Sequence, residues 1–118
     1  MIKISNDLYE FNLWVSFEED PDKTIKWVFE EYNMFLYPIT SHADFSPIND
    51  KNYLVRVPEF DIKKVGHMPL LCHELLHATF KILEDVGLKL NSGSEEAYTY
   101  LFQYLMYEFL EELNKKSP

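Results

Sequence analysis

Apolar residues recur at three- and four-residue spacing between positions 70 and 86: Leu71, Leu75, Ala78, Ile82 and Val86. That period puts them on one stripe of an α-helix. Pro69 suits the first turn, where a missing N–H costs nothing. Gly87 tolerates the left-handed backbone that ends many helices. A polar break follows at Asn91-Ser92-Gly93-Ser94, with Ser92 or Ser94 as the cap of a second helix running from 95 to 110. On that helix Glu96, Tyr100, Gln103 and Tyr107 share one face, which reads as a polar stripe directed at a site.

Upstream the pattern is mixed. Residues 8–17 are apolar and aromatic enough for a strand, although their alternation is imperfect. The acidic turn at 18–22 leads into a helix over 23–33, with Ile25, Val28, Phe29 and Tyr32 inward. Residues 34–37 fit a short strand or an extension of that helix, and 38–52 read as loop. Tyr53-Leu54-Val55-Arg56-Val57 is the clearest strand, with Pro58 marking its end or an edge. Trp14 and Trp27 are expected in the core.

Composition narrows the class. The chain has 118 residues, 47% hydrophobic and 16% aromatic, which fits one globular domain over 1–118 and argues against disorder. No stretch is long enough to span a membrane, and the N-terminus lacks an apolar secretory core. The single cysteine, Cys72, excludes an internal disulfide and suits a reducing compartment. A cytoplasmic protein is expected. The net charge of −9 disfavours nucleic-acid backbones. It keeps the domain soluble and is compatible with a partner carrying basic patches.

The chemistry lies in His73-Glu74-Leu75-Leu76-His77, an H-E-x-x-H pattern. A helix advances about 100° per residue, so residues i and i+4 lie about 40° apart on one face. His73 and His77 then hold one Zn²⁺. Glu74, about 100° round from His73, serves as general base without being forced to ligate. Cys72 points away and reads as a small buried thiol. A third ligand is needed, and the following helix offers Glu95 or Glu96 near its start, with Glu96 separated from His77 by 18 residues. Glu96 is preferred because it shares the face of Tyr100. An oxyanion donor is also needed. Tyr100 is the first candidate and His42, in the loop Thr40-Ser41-His42-Ala43-Asp44, the second, although an exposed loop histidine is the plainer reading of His42. His67 is given no chemistry.

The run from Tyr53-Leu54-Val55-Arg56-Val57 through His73-Glu74-Leu75-Leu76-His77-Ala78 to Glu96-Ala97-Tyr98-Thr99-Tyr100-Leu101 resembles small phage- and prophage-encoded zincins of the gluzincin type. A weaker likeness is to the protease domains that cleave phage repressors. The first resemblance implies an α+β fold: a small, mostly antiparallel sheet, with the H-E-x-x-H helix packed on a C-terminal helix. It implies His73, His77 and Glu96 as zinc ligands, Glu74 as base, and a peptide or protein as substrate. It also implies that strand 53–57 lies along the cleft with a free edge that pairs extended peptide. The competing expectation is a non-enzymatic acidic inhibitor or binding protein of phage type, in which zinc is structural or the motif a relic. Structural zinc sites usually close all four positions with Cys or His, and one cysteine with scattered histidines makes such a site hard to build.

Overall fold

The computed structural model describes residues 1–116. The architecture is α+β, with a four-stranded mixed sheet and three helices in the order β1 (Ile2–Asn6), β2 (Phe11–Ser16), α1 (Pro21–Tyr32), β3 (Asp44–Asn49), β4 (Asn52–Arg56), α2 (His67–Asp85) and α3 (Glu95–Lys116). The strand order is β1-β2-β4-β3. Its two outer pairings are antiparallel and the central β2–β4 pairing is parallel. Among the described residues no helix is long and apolar enough to cross a membrane.

The N-terminus departs from the sequence expectation. The strand expected over residues 8–17 is confined to Phe11–Ser16, with 8–10 in a turn. Asn6 accepts the Tyr9 N–H at 3.0 Å and Glu10 takes a left-handed φ of 54°. The chain therefore reverses at 7–10, and β1 and β2 form a hairpin with Ile2 opposite Val15. β1 carries a real period-two pattern: Ile2 and Ile4 are buried, while Lys3 and Ser5 are exposed. Asp20 caps α1 by accepting the Asp22 N–H, with Pro21 in the first turn. Asn33, at φ 51°, ends that helix. Residues 34–37 are accordingly neither strand nor helix extension. Phe29, expected inward, is exposed, whereas Val28 is fully buried.

A second correction concerns 38–52, which is only partly loop. Asp44–Asn49 forms β3, joined to β4 through a turn in which Lys51 has φ 67°. Pro47 is tolerated because β3 is an edge strand. β4 is thus hydrogen-bonded on both sides, and the free edge expected for residues 53–57 does not exist. Pro58 marks the end of that strand, not an edge.

Both faces of the sheet are covered. Ile2, Ile4, Phe11, Leu13, Val15, Tyr53 and Val55 pack against Leu71, Leu75, Ala78 and Ile82 of α2 and Leu101, Leu105 and Phe109 of α3. The expected α2 stripe is therefore buried except for its last member, Val86. On the opposite face α1 contributes Val28 to a smaller cluster with Leu36, Ile48 and Leu54. Trp14 and Trp27 flank that cluster edge-to-face at 5.0 Å, partly buried. The two long helices run antiparallel. Cys72 meets Met106, with 3.6 Å between the sulfurs, and Phe80 packs on Tyr98. Ser94 directly precedes α3, but its hydroxyl turns back to Lys89 and Asn91 and stiffens the connecting loop.

Candidate metal centre

α2 is long and apolar on its core side, so its opposite face is free for polar groups. His73 and His77 are both exposed there, one turn apart. Their Nε2 atoms lie 3.1 Å from each other, with the rings edge-to-face. One imidazole donates its N–H to the other. Two nitrogens about 2.0–2.1 Å from a tetrahedral zinc would be roughly 3.3 Å apart. The pair is therefore set close to the spacing of two zinc ligands.

Glu74 lies between this face and the core and is only 7% exposed. Burial pushes its carboxyl group above the ordinary carboxylate range, although His73 and His77 pull it back; Asp44 adds a further upward push. A carboxylate in that setting is a stronger proton acceptor than a solvated one. An open cavity of about 620 Å³ adjoins it, with His73, Glu74, Leu70, Ser41, His42 and Ala43 among its walls. The motif and residues 41–43 thus border one cavity, although they are far apart in sequence.

Glu95 and Glu96 are both exposed in the first turn of α3. The antiparallel pairing sets Tyr98 beside Phe80, so Glu96 lies further along, beyond the level of His77. Among the described residues no three His, Cys, Asp or Glu side chains are grouped closely enough to hold a metal ion. Two of the three expected ligands are therefore together, and Glu96 is not drawn in to them.

Tyr100 is 65% exposed and lines a separate groove with Gln103, Tyr104 and Tyr107. The stripe that helical spacing directs at the site forms its own surface instead. His42 borders the cavity that contains His73 and Glu74. His67 holds the backbone in place: its Nδ1 accepts the Asp61 N–H at 2.9 Å, which fixes the loop before α2. The Cys72 thiol is partly buried, which raises its pKa.

A buried ion pair beside the cavity is not apparent from the sequence. Arg56 is 4% exposed and is held by Asp44 through two hydrogen bonds of 2.8 and 2.5 Å. Its remaining nitrogen donates to the Tyr37 carbonyl at 2.9 Å. The signal was present as a lone charge inside an apolar strand, because a buried arginine requires a partner. Which acid supplies that partner depends on β3, which the sequence did not reveal.

Nothing matches this chain among protein-family models, curated proteins or solved structures.

Proposed function

We propose that the protein is a zinc-dependent metallopeptidase that hydrolyses peptide bonds. The observation that carries this reading is the pair of His73 and His77 nitrogens, 3.1 Å apart, beside the buried Glu74 carboxyl. His73 and His77 would hold the metal, and Glu96, which stands apart from the pair, is the proposed third ligand. Zinc held there would supply Lewis acidity toward a water and a carbonyl. Glu74 takes a proton from the attacking water and passes it to the leaving amine nitrogen. Its partial burial favours this cycle, since a raised pKa brings the carboxylate nearer to the ideal for a general base at neutral pH.

Extended peptide is best received at the outer edge of β3. That strand packs against α2 and has an unpaired side available for strand addition. This role replaces the one expected for residues 53–57.

The test is cleavage of a quenched-fluorescent peptide library by the zinc-loaded chain. Hydrolysis that chelation abolishes is expected; a zinc-loaded chain that cleaves no member contradicts the reading. The third ligand has its own test. Glu96→Ala should lower zinc affinity about tenfold or more, by analogy with the loss of supporting metal-site groups, while Glu95→Ala should leave it within about twofold. Chelator competition measures both. A larger loss at Glu95, or no loss at either position, removes Glu96 from the ligand set.

A further inference from the structure

We infer that the tyrosine groove on α3 is a docking surface for an extended, proline-rich segment of a partner protein, whose arginines stack on Tyr100 and Tyr107. The groove shares no lining residue with the cavity at Glu74, so this surface stands or falls apart from the metal centre.

Helical spacing builds the surface. Tyr100, Gln103, Tyr104 and Tyr107 line one groove of about 320 Å³. Tyr100 is 65% exposed and Tyr107 60%, a large aromatic area for one helix to leave in water. Two of the rings are tied down. The half-buried Tyr104 donates its hydroxyl to the Ser5 carbonyl at 2.5 Å, and Tyr107 donates to Glu111 Oε1 at 2.7 Å. Rings already fixed lose little freedom when a partner settles on them. Seven residues of helix set Tyr100 and Tyr107 about 10 Å apart. A polyproline II segment has three residues per turn and rises about 3.1 Å per residue, so side chains three positions apart share a face at nearly that separation. Aromatic-lined grooves suit such segments, because their backbone is ordered before binding.

The charge beside the groove selects arginine. Glu111 holds the Tyr107 phenol above its ordinary value through their hydrogen bond and its charge, and Glu108 adds to this. Burial, then Glu108 and Asp7, push the Tyr104 phenol up as well. Negative charge therefore flanks the rings from both α3 and the β1–β2 turn. The cations of α3 lie past Glu111 and are engaged: Lys115 with Glu112 at 3.1 Å, and Lys116 with the Met1 carbonyl at 3.4 Å. A planar guanidinium stacks on an aromatic face while its edge pairs with a carboxylate, so one arginine answers both features. A second copy of this chain would bring like charge to like charge, at −9 each, and a nucleic acid would bring phosphates. A cationic protein segment is the occupant that the charge admits.

The experiment titrates the isotope-labelled chain with the peptide Pro-Pro-Arg-Pro-Pro-Arg-Pro-Pro at physiological salt and follows backbone amide shifts by NMR. Shifts clustered on residues 100–111 and 5–7 are expected. Tyr100→Ala with Tyr107→Ala should lower affinity about tenfold, whereas Tyr100→Phe with Tyr107→Phe, which keeps both rings, should stay within about threefold. Both positions are exposed, so the fold should survive, and the spectrum of each variant checks it. Glu111→Gln should weaken binding a few-fold, and Glu31→Gln, on α1, should not. The same peptide with lysine in place of both arginines should bind several-fold more weakly. No shifts at millimolar peptide, or shifts centred elsewhere, overturn the assignment. So does an Ala pair that binds like the parent. Equal losses in Glu111→Gln and Glu31→Gln overturn it by reducing binding to general charge attraction, and equal affinity for the lysine peptide overturns it by removing the stacked guanidinium.

Discussion

Glu74→Gln is expected to retain zinc and lose hydrolysis, with kcat reduced by about 10²- to 10⁴-fold, the range a positioned general base supplies. The substitution preserves shape and removes the proton acceptor. His73 and His77 keep their one-turn spacing on α2, so metal affinity should stay within a few-fold. The same variant carries a stability signature. The Glu74 carboxyl is held above its ordinary value, first by burial. The folded state therefore binds its proton more tightly than the unfolded chain, and ionising Glu74 destabilises the fold as pH rises. The penalty is absent below the unfolded carboxyl pKa of about 4.3. It grows through the window above that value and is complete once pH exceeds the raised folded value. Metal-free Glu74→Gln should therefore be more stable than the parent at pH 7.5, and the gain should vanish near pH 4. Urea denaturation with chelator present measures both points. A Gln variant that is less stable at pH 7.5, or that still hydrolyses peptide at the parental rate, rules out this role for Glu74.

Asp44→Asn should cost on the order of 3 kcal/mol, because it leaves the buried Arg56 guanidinium without its carboxylate. Arg56 is 4% exposed and cannot turn to water without opening the β3–β4 end of the sheet. Asp44 itself is partly exposed, so most of the penalty belongs to the arginine. Replacing both partners, Asp44→Asn with Arg56→Leu, should recover a large part of the loss, since removing the guanidinium avoids the stranded charge. A denaturation midpoint that is unchanged in Asp44→Asn means the pair does not anchor the loop. The consequence reaches the site, because the loop bearing His42 is pinned through the same guanidinium.

The two long helices were legible because each signal was local. The 3.6-residue stripe at Leu71, Leu75, Ala78 and Ile82, the early Pro69 and the terminal Gly87 all act within a few residues. The His73–Glu74–His77 arrangement follows from helix geometry alone. The strands were less legible. Ile2 and Ile4 alternate with polar residues, but so short a strand carries too little pattern to stand out. β3 contains Ser46, Pro47 and Asn49, a loop-like composition that only its edge position permits. The free edge that the family resemblance implies for residues 53–57 is the one β3 covers. The stripe on α3 shows a different limit. Spacing correctly grouped Tyr100, Gln103 and Tyr107, but the rotation of α3 against α2 is set by Met106, Tyr98 and Phe109 in the core. A helical period does not encode that rotation. His42 was legible as a candidate beside the site, but not what places it at the cavity that Glu74 also borders, a buried arginine bridging 37 to 44.

Zinc content of the purified chain, measured by mass spectrometry after chelator-free preparation, bears on all of this chemistry. One zinc per chain is expected, falling to background in both His73→Ala and His77→Ala. A chain that binds no zinc when offered it, or a His77→Ala variant that binds zinc as tightly as the parent, contradicts a metal centre on α2.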